Sequence, residues 1–412
     1  MVRLYSLTVV VMFAFGLVRA GDAMEIGPAD KFCAAVHALD PGEELVLRPG
    51  DYAGPCVIRK GGTAAQPLVI RAKDPAHRPR LVYMGEKANV LNIEAHHVTI
   101  RGLAFGPTRP NVDGVRVIWG DFVTVEDCDF EGMGGIAVVA NHRNARGLTV
   151  RRNRVRNSHA TAMYFGCHSG VTCMLEQVRV EQNYIQGVDA PDPLIGYGIQ
   201  IKLNSWGWIR DNVIVDTKGP GIMVYGATIP GKMTVVERNA VTGSRHAAGI
   251  VVGGGPVIVR NNVVTGSVEG GIRVEDYGHR GLLRAIAIAH NTVVDNGAGG
   301  IVLRDSAAIH EVRIVNNAVQ GLEGTPPFPG GRNGILSRGN IECGSGGCLR
   351  NPGERDFSPR RDSRLLRSGV PFPEDWMPRD DFTGAPRGEK PTVGAFEGEA
   401  PPIPIGFKGA RR

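Results

Sequence analysis

Along most of the chain, apolar and polar positions alternate with a period of two in short runs rich in Val and Ile, and each run opens on Gly. They read GVRVIW from Gly114, GIAVVA from Gly135, GIQIKL from Gly198, GIMVYG from Gly221, GIVVGG from Gly249, GIRVED from Gly271 and GIVLRD from Gly300, with AMYFG from Ala162 in the remaining gap. This alternation predicts half-buried strands. Between the runs a second phrase returns: a β-branched residue, two mostly polar residues, Asn, a variable residue and an aliphatic one. It places Asn at 153, 183, 212, 239, 262, 291 and 317, at intervals of 30, 29, 27, 23, 29 and 26 residues. Degenerate copies with Cys128 and Leu103 in the Asn position continue it upstream at intervals of 25.

Self-similarity at this period means a solenoid. With at least two strands per repeat and no room for a crossover helix, each repeat is one coil stacked in parallel on the last, and parallel crossovers are right-handed. The predicted fold is all-β, a single-stranded right-handed parallel β-helix. Asn suits a recurrent corner because it tolerates the left-handed conformation and its amide can reach the neighbouring coil. The 57 Gly and 6% aromatic residues fit tight turns around a narrow core of stacked Val and Ile. The repeats run unbroken, so one elongated domain is expected.

The ends depart from the period. Arg3, the apolar run Leu7 to Val18 and small residues before position 23 read as a signal peptide, 1–23, too short to span a bilayer. The solenoid is expected over 24–349, with an N-terminal cap formed by the helix-like stretch Phe32 to Leu39, which would plug the open end. An irregular C-terminal wrap is expected over 350–397 and a disordered tail over 398–412, which ends EAPPIPIGFKGARR. No other apolar stretch approaches membrane length. The mature protein is expected to be periplasmic or secreted, free of the membrane after signal cleavage, and monomeric.

Cysteine usage suits an oxidising compartment. Of seven cysteines, Cys33 with Cys56, Cys167 with Cys173 and Cys343 with Cys348 form three candidate disulfides, leaving Cys128 as a buried thiol. Metal sites need paired close spacings of Cys or His, and no CxxC or HxxxH occurs, so no metal and no cofactor is expected.

A net charge of +6 favours an anionic partner. The basic residues form no run with interleaved aromatics, which argues against nucleic acid and for an acidic polysaccharide.

Two segments carry a family resemblance. DPGEELVLRPGDY followed by GGTAAQPLVIRA resembles the first coils of the polysaccharide lyase family that contains chondroitinase B and alginate lyases, within the pectate-lyase-like superfamily. DDFTGAPRGEKPTVGAFE resembles the D-x-x-G-x-x-R…G-A-x-E close of many secreted bacterial right-handed β-helix proteins.

Strand alternation locates a candidate site. If the first and third places after each Gly point inward, the second places form one outward column, Arg116, Ala137, Tyr164, Gln200, Met223, Val251, Arg273 and Val302. The fourth places form another, Ile118, Val139, Gly166, Lys202, Tyr225, Gly253, Glu275 and Arg304. Lys202 thus stands beside Tyr225 on consecutive coils, with Gln200 and Tyr164 close by and Arg273, Glu275 and Arg304 further along. This suits β-elimination from a uronate polymer. A Lys base takes the proton α to the carboxylate and an acid, here Tyr225, protonates the departing glycosidic oxygen.

IQIKLNSWGWIRDN resembles the lyase family's segment around its catalytic Lys, and Lys202 is the matching position. Where that family has a catalytic Arg one coil on, this chain has Tyr225; where it has two acidic calcium ligands, this chain has Ile195 and Tyr197. No calcium is therefore expected at that position. Arg273, Arg304 or Arg116 would neutralise the substrate carboxylate instead, as bidentate forks.

His159, His168 and His246 fall on turns, with His168 inside the Cys167 to Cys173 loop; Glu275, Asp276 and Asp305 offer the paired carboxylates of a glycosidase. Gly253 to Gly255 reads as a tight turn without phosphate-loop spacing. Three functions stand: a lyase on an alginate-like uronate polymer, a C5-epimerase sharing the same proton abstraction, and a non-catalytic carbohydrate-binding or envelope protein.

Overall fold

The computed structural model describes residues 23–227, 229–276, 282–304, 309–330, 333–344, 347–371 and 376–404. The expected signal segment falls outside them apart from Ala23. The predicted right-handed parallel solenoid is what the chain forms; where the repeats implied at least two strands per coil, there are three. Three parallel sheets run the length of the stack, with 13, 12 and 10 strands. The first face holds the strand before each Asn, for example Val178–Glu181. The second holds the strand after it, Tyr184–Val188 in the same coil. The third holds the Gly-led strand, Ile199–Ile201.

The Asn phrase therefore spans a corner between two faces; its amide reaches the neighbouring coil as expected, but the Asn is not the left-handed residue. The left-handed conformation belongs to the residue before it: Arg152, Gln182, Asp211, Arg238, Asn261, His290 and Asn316 all have φ between 52° and 58°. Asn itself supplies a ladder of side-chain amides. Asn183 Oδ1 accepts from both the N–H and the Nδ2 of Asn153 at 3.0 Å, while Asn183 Nδ2 donates to Val150 O at 2.9 Å and to Asn212 Oδ1 at 3.0 Å. The pattern repeats coil after coil to Asn340, the last rung. At the other end Cys128 holds the expected place, its N–H donating to Asn153 Oδ1 at 3.0 Å. Burial pushes its thiol up to about 12.

Inside the coils, stacked Ile and Val from all three faces are fully buried, among them Val180, Ile209 and Val236 on the first, Ile214 and Val264 on the second and Ile222, Ile250 and Ile272 on the third. Each contributes about 1.5–3 kcal/mol. The recurrent Gly is required by space rather than by conformation. A Cβ on Gly271 would lie 2.2 Å from Val293 Cγ1, and one on Gly249 2.4 Å from Val264 Cγ1, so second-face aliphatics already fill that corner.

At the N-terminus the helix Phe32–Ala38 buries Phe32 and Val36, one turn apart on one side, and packs on the third-face strand Cys56–Ile58. The Cys33–Cys56 disulfide ties the two together. Beyond the last coil, Asp381 and Arg387 organise the closing segment. Asp381 Oδ1 accepts from Thr383 and Ala385 N–H and Oδ2 from Glu397 N–H. Arg387, whose side chain is buried, donates to Glu397, Gly394 O and Asn261 Oδ1. In the segment expected as a disordered tail, residues 398–404 are described, Ile403 is buried and its N–H donates to Arg355 O; 405–412 lie outside the described residues.

Two of the three expected disulfides are present, Cys33–Cys56 and Cys167–Cys173. Cys343 and Cys348 are not joined. Both are buried thiols in the cluster that closes the C-terminal end, where each is a small apolar filler. Their mutual hydrogen bond, with Arg364 beside it, holds the Cys348 thiol down to about 6 and raises that of Cys343.

Candidate functional site

The candidate site is built on the outer surface of the third face. Pairing there gives the column Arg116, Val139, Tyr164, Gln200, Met223, Val251, Arg273 and Val302. Val139 replaces Ala137 in the expected order, because the strand in the Gly135 phrase is Val138–Ala140 and starts two residues late. One place further on, Lys202 N–H donates to Phe165 O, Tyr225 N–H to Ile201 O, Glu275 N–H to Val252 O and Arg304 N–H to Val274 O, so Lys202, Tyr225, Gly253, Glu275 and Arg304 follow one another on successive coils.

The middle of this outward surface is not solvated, although Arg304 beyond it is exposed. Gln200 and Lys202 are 2% exposed, Tyr225 1%, and Met223 and Val251 not at all. The reason is a small outer core, in which Tyr197, Met223, Tyr225, Ala248 and Val251 pack together above the sheet. Tyr197, matched to a calcium-ligand position by resemblance, is thus an apolar wall, and Ile195 beside it is 40% exposed. Neither side chain offers a carboxylate. Among the described residues the one group with metal-ligand spacing is Cys33, His37 and Cys56, whose two sulfurs are joined in a disulfide.

A cavity of about 580 Å³ opens on this surface. Lys202, Tyr225, Gln200, Tyr164, Arg116 and His168 all line it. The Lys202 Nζ lies 4.0 Å from the centre of the Tyr225 ring and 5.5 Å from that of Tyr164. Such cation–π contacts strengthen when water is excluded. Gln200 Nε2 donates to the Tyr225 hydroxyl at 3.4 Å, which fixes the phenol beside the ammonium. At the far side Arg116 is held by Asp113 Oδ2, 2.7 Å from Nε and 2.6 Å from Nη2, and by Asn141 Oδ1 at 2.7 Å. Burial raises the Asp113 carboxyl, against the pull of Arg116 and of the Ile136 N–H that donates to its Oδ1.

Sequence reasoning missed Asp113 and Thr161 in this lining, and Asn141, which holds Arg116 from outside it. Asp113 had a signal, three residues before Arg116 at the head of its strand; Asn141 and Thr161 arrive from turns and carried none.

The remaining candidates lie elsewhere. Arg273 pairs with Glu269 and with Glu275 at 2.9 Å, and Arg304 approaches Glu275 at 3.9 Å. At roughly 4.8 Å per coil, Glu275 stands about 14 Å along the stack from Lys202. The Arg273 Nε is buried without a hydrogen-bond partner. Asp305, the third carboxylate of the glycosidase alternative, lies outside the described residues. His159 and His246 line a separate, neighbouring cavity.

Fold and repeat define the class. The chain matches the right-handed β-helix region family over residues 88–275 and 170–342, and it belongs to that family. No curated protein matches it closely. Among solved structures it is similar to pectate lyase Pel9A, with 15% identity, a TM-score of 0.51, and coverage of 92% of this chain and 96% of that one. It is similar to XylC in complex with xylose, with 10% identity, a TM-score of 0.63, and coverage of 91% and 98%. It is also similar to the PL6 family alginate lyase AlyGC, with 14% identity, a TM-score of 0.51, and coverage of 93% of this chain and 59% of that one. These likenesses share a fold; activity has to be argued from the site.

Proposed function

We propose that the protein acts on an acidic polysaccharide outside the cytoplasm, and that its reaction is β-elimination at a uronate unit held in the Lys202 cavity. The observation that carries this reading is the convergence of Lys202, Arg116 and the Tyr225 hydroxyl on one concave site, where the carboxylate in the lining, Asp113, is already bound to Arg116. That leaves the cavity with an excess of positive charge, which suits a sugar carboxylate. Structural neighbours include enzymes named for pectate and for alginate, and another crystallised with xylose, so the fold admits several sugars and the charge of the cavity selects the acidic ones.

In the proposed reaction Lys202, as the free amine, takes the proton α to the carboxylate. The electron pair left on carbon forms the new double bond as the glycosidic carbon–oxygen bond breaks. Tyr225, oriented by Gln200, gives its proton to the departing oxygen, and Arg116 faces the substrate carboxylate as charge builds there. Export is supported by the apolar Leu7 to Val18 segment and by the two disulfides.

The test is a panel of uronate polymers assayed for new ultraviolet absorbance from the unsaturated product. Wild type should generate it on at least one polymer; Lys202→Ala should lose about 10²–10⁴-fold, the usual worth of a positioned base, and Tyr225→Phe should lose activity without losing binding. Silence across the panel sinks the lyase reading. One observation favours a second reading, binding without chemistry: the Lys202 Nζ sits over two rings, an arrangement that favours the ammonium. Its signature is oligouronate binding abolished by Lys202→Met with no product from wild type.

A further inference from the structure

Beside the Lys202 cavity lies a larger one, of about 1130 Å³, at the corner between the second and third faces. The two share Asn111 and the segment Pro193 to Ile195 in their linings, so one wall serves both. That wall is the turn Ala190 to Gly196, and it is held unusually firmly. Lys218 Nζ, on the next coil, donates to Ala190 O at 2.9 Å, Asp192 Oδ1 at 2.5 Å and Leu194 O at 2.8 Å. All three ammonium hydrogens are thereby used on one short turn. On its crest Leu194 and Ile195 are 48% and 40% exposed. Two adjacent aliphatic side chains held in water on a pinned turn, between two cavities, mark a contact surface rather than a packing defect.

The larger cavity differs from the first in its chemistry. Its fixed charges are spent: Lys218 on Asp192, Arg273 on Glu269 and Glu275, and Asp189 on Arg245 at 2.7 Å. What it offers a ligand are the imidazoles of His159 and His246, both exposed, set among Pro110, Pro191 and Pro220. Prolines and aliphatics present flat apolar surface to a sugar ring, and imidazoles hydrogen-bond its hydroxyls. The cavity has about twice the volume of its neighbour.

We infer that this second cavity is a further binding subsite for the same acidic polysaccharide, occupied by units that continue past the turn Ala190 to Gly196 from the unit at Lys202. The inference rests on the reading of the Lys202 cavity given above. The substrate is then an internal stretch of polymer draped over Leu194 and Ile195, and affinity must grow with chain length.

The experiment uses the full chain carrying Lys202→Ala where product would otherwise form, and measures binding of a short and a long oligouronate of the polymer that wild type recognises, by calorimetry. His159→Ala with His246→Ala, both at exposed positions, should weaken the long oligomer about tenfold and leave the short one unchanged. Lys218→Met, which frees the turn, should also weaken the long one more. Equal loss for both lengths, or no loss for either, overturns the subsite. If wild type binds neither length, the parent reading fails instead, so the two failures are distinguishable.

Discussion

The amide ladder makes a quantitative claim that can be tested at Asn212, in the coil that follows Lys202. Replacing Asn212 by Ala removes four hydrogen bonds: from Asn183 N–H at 2.9 Å, from Asn183 Nδ2 at 3.0 Å, to Val180 O at 2.8 Å and to Asn239 Oδ1 at 2.9 Å. The losses are unequal. Asn183 Nδ2 keeps Val150 O and Asn239 Oδ1 keeps the backbone N–H of residue 212, but the Asn183 N–H is left with no acceptor in a site 1% exposed. A buried orphan of this kind costs about 1–3 kcal/mol, and the donor lost at Val180 O together with the small void brings the expectation to about 2–4 kcal/mol. The assay is equilibrium urea unfolding followed by fluorescence, with Trp206 and Trp208 in the same coil as reporters. Asn333→Ala, at an exposed position off the ladder, serves as control and should stay within about 0.5 kcal/mol of wild type. Asn212→Asp sharpens the test. It retains an acceptor for Asn183 N–H but turns a second acceptor toward Val180 O and Asn239 Oδ1, so at neutral pH it should be at least as damaging as Ala. Its carboxyl would be raised in the folded state, so the deficit should shrink as pH falls through that raised value and the protonated acid donates again. A loss below 1 kcal/mol for Asn212→Ala would refute the ladder as a source of stability.

Other outcomes follow from the same geometry. His290 accepts from Asn316 Nδ2 at Nε2 and donates from Nδ1 to Thr392 O, so it is held neutral, and burial followed by the Arg387 charge lowers it well below its ordinary value. Since the unfolded imidazole takes a proton near 6.5, stability should be full above that pH and fall below it by up to about 1.4 kcal/mol per unit until the folded group titrates; a flat profile between pH 6.5 and 5 in a His290→Gln comparison would contradict this. Arg387→Met should release the closing segment, since it strands Glu397 beside Asp381, at about 3–5 kcal/mol, read as new cleavage near residues 380–400 in limited proteolysis; an unchanged digest counts against the latch. Thiol titration of the unfolded, unreduced protein should find three free thiols, Cys128, Cys343 and Cys348; one would mean that Cys343 and Cys348 pair after all.

Much of the fold was legible because the solenoid repeats its solution. Alternation marked the third face, the Asn phrase marked the corner, and their joint register placed Lys202 beside Tyr225. What stayed hidden has physical causes. The third strand per coil lay inside the Asn phrase, where only two residues separate two strands too short to show alternation. The left-handed position was misassigned because Arg, Gln, Asp, His and Asn all hold it, so no residue type betrays it, while the recurrent Asn beside it serves hydrogen bonding. The outer column was expected in water because alternation tells which way a side chain points and says nothing of what then covers it; Tyr197 and the turn Ala190 to Gly196 arrive from outside the strand.

The two ends of this logic meet in one contrast between corners and face. On the ladder every buried amide described above is satisfied, and on the interior side of the coils the residues are aliphatic, so sequence, register and packing agree. Agreement fails on the outer third face. There an ammonium is 2% exposed over two rings, Arg273 keeps a buried Nε without a partner, and a pinned turn holds aliphatics in solvent. Stability gives no reason for any of these, since an apolar residue of similar size at position 202 avoids the desolvation penalty that a buried charge incurs. Nor does the fold require them, because the ladder and the interior stack run unbroken past the same coils. A scaffold stabilised at its corners and centre is free to carry unfavourable groups on one outer face, and the concentration of such groups around a single pair of adjacent cavities is what makes that face the place where chemistry belongs.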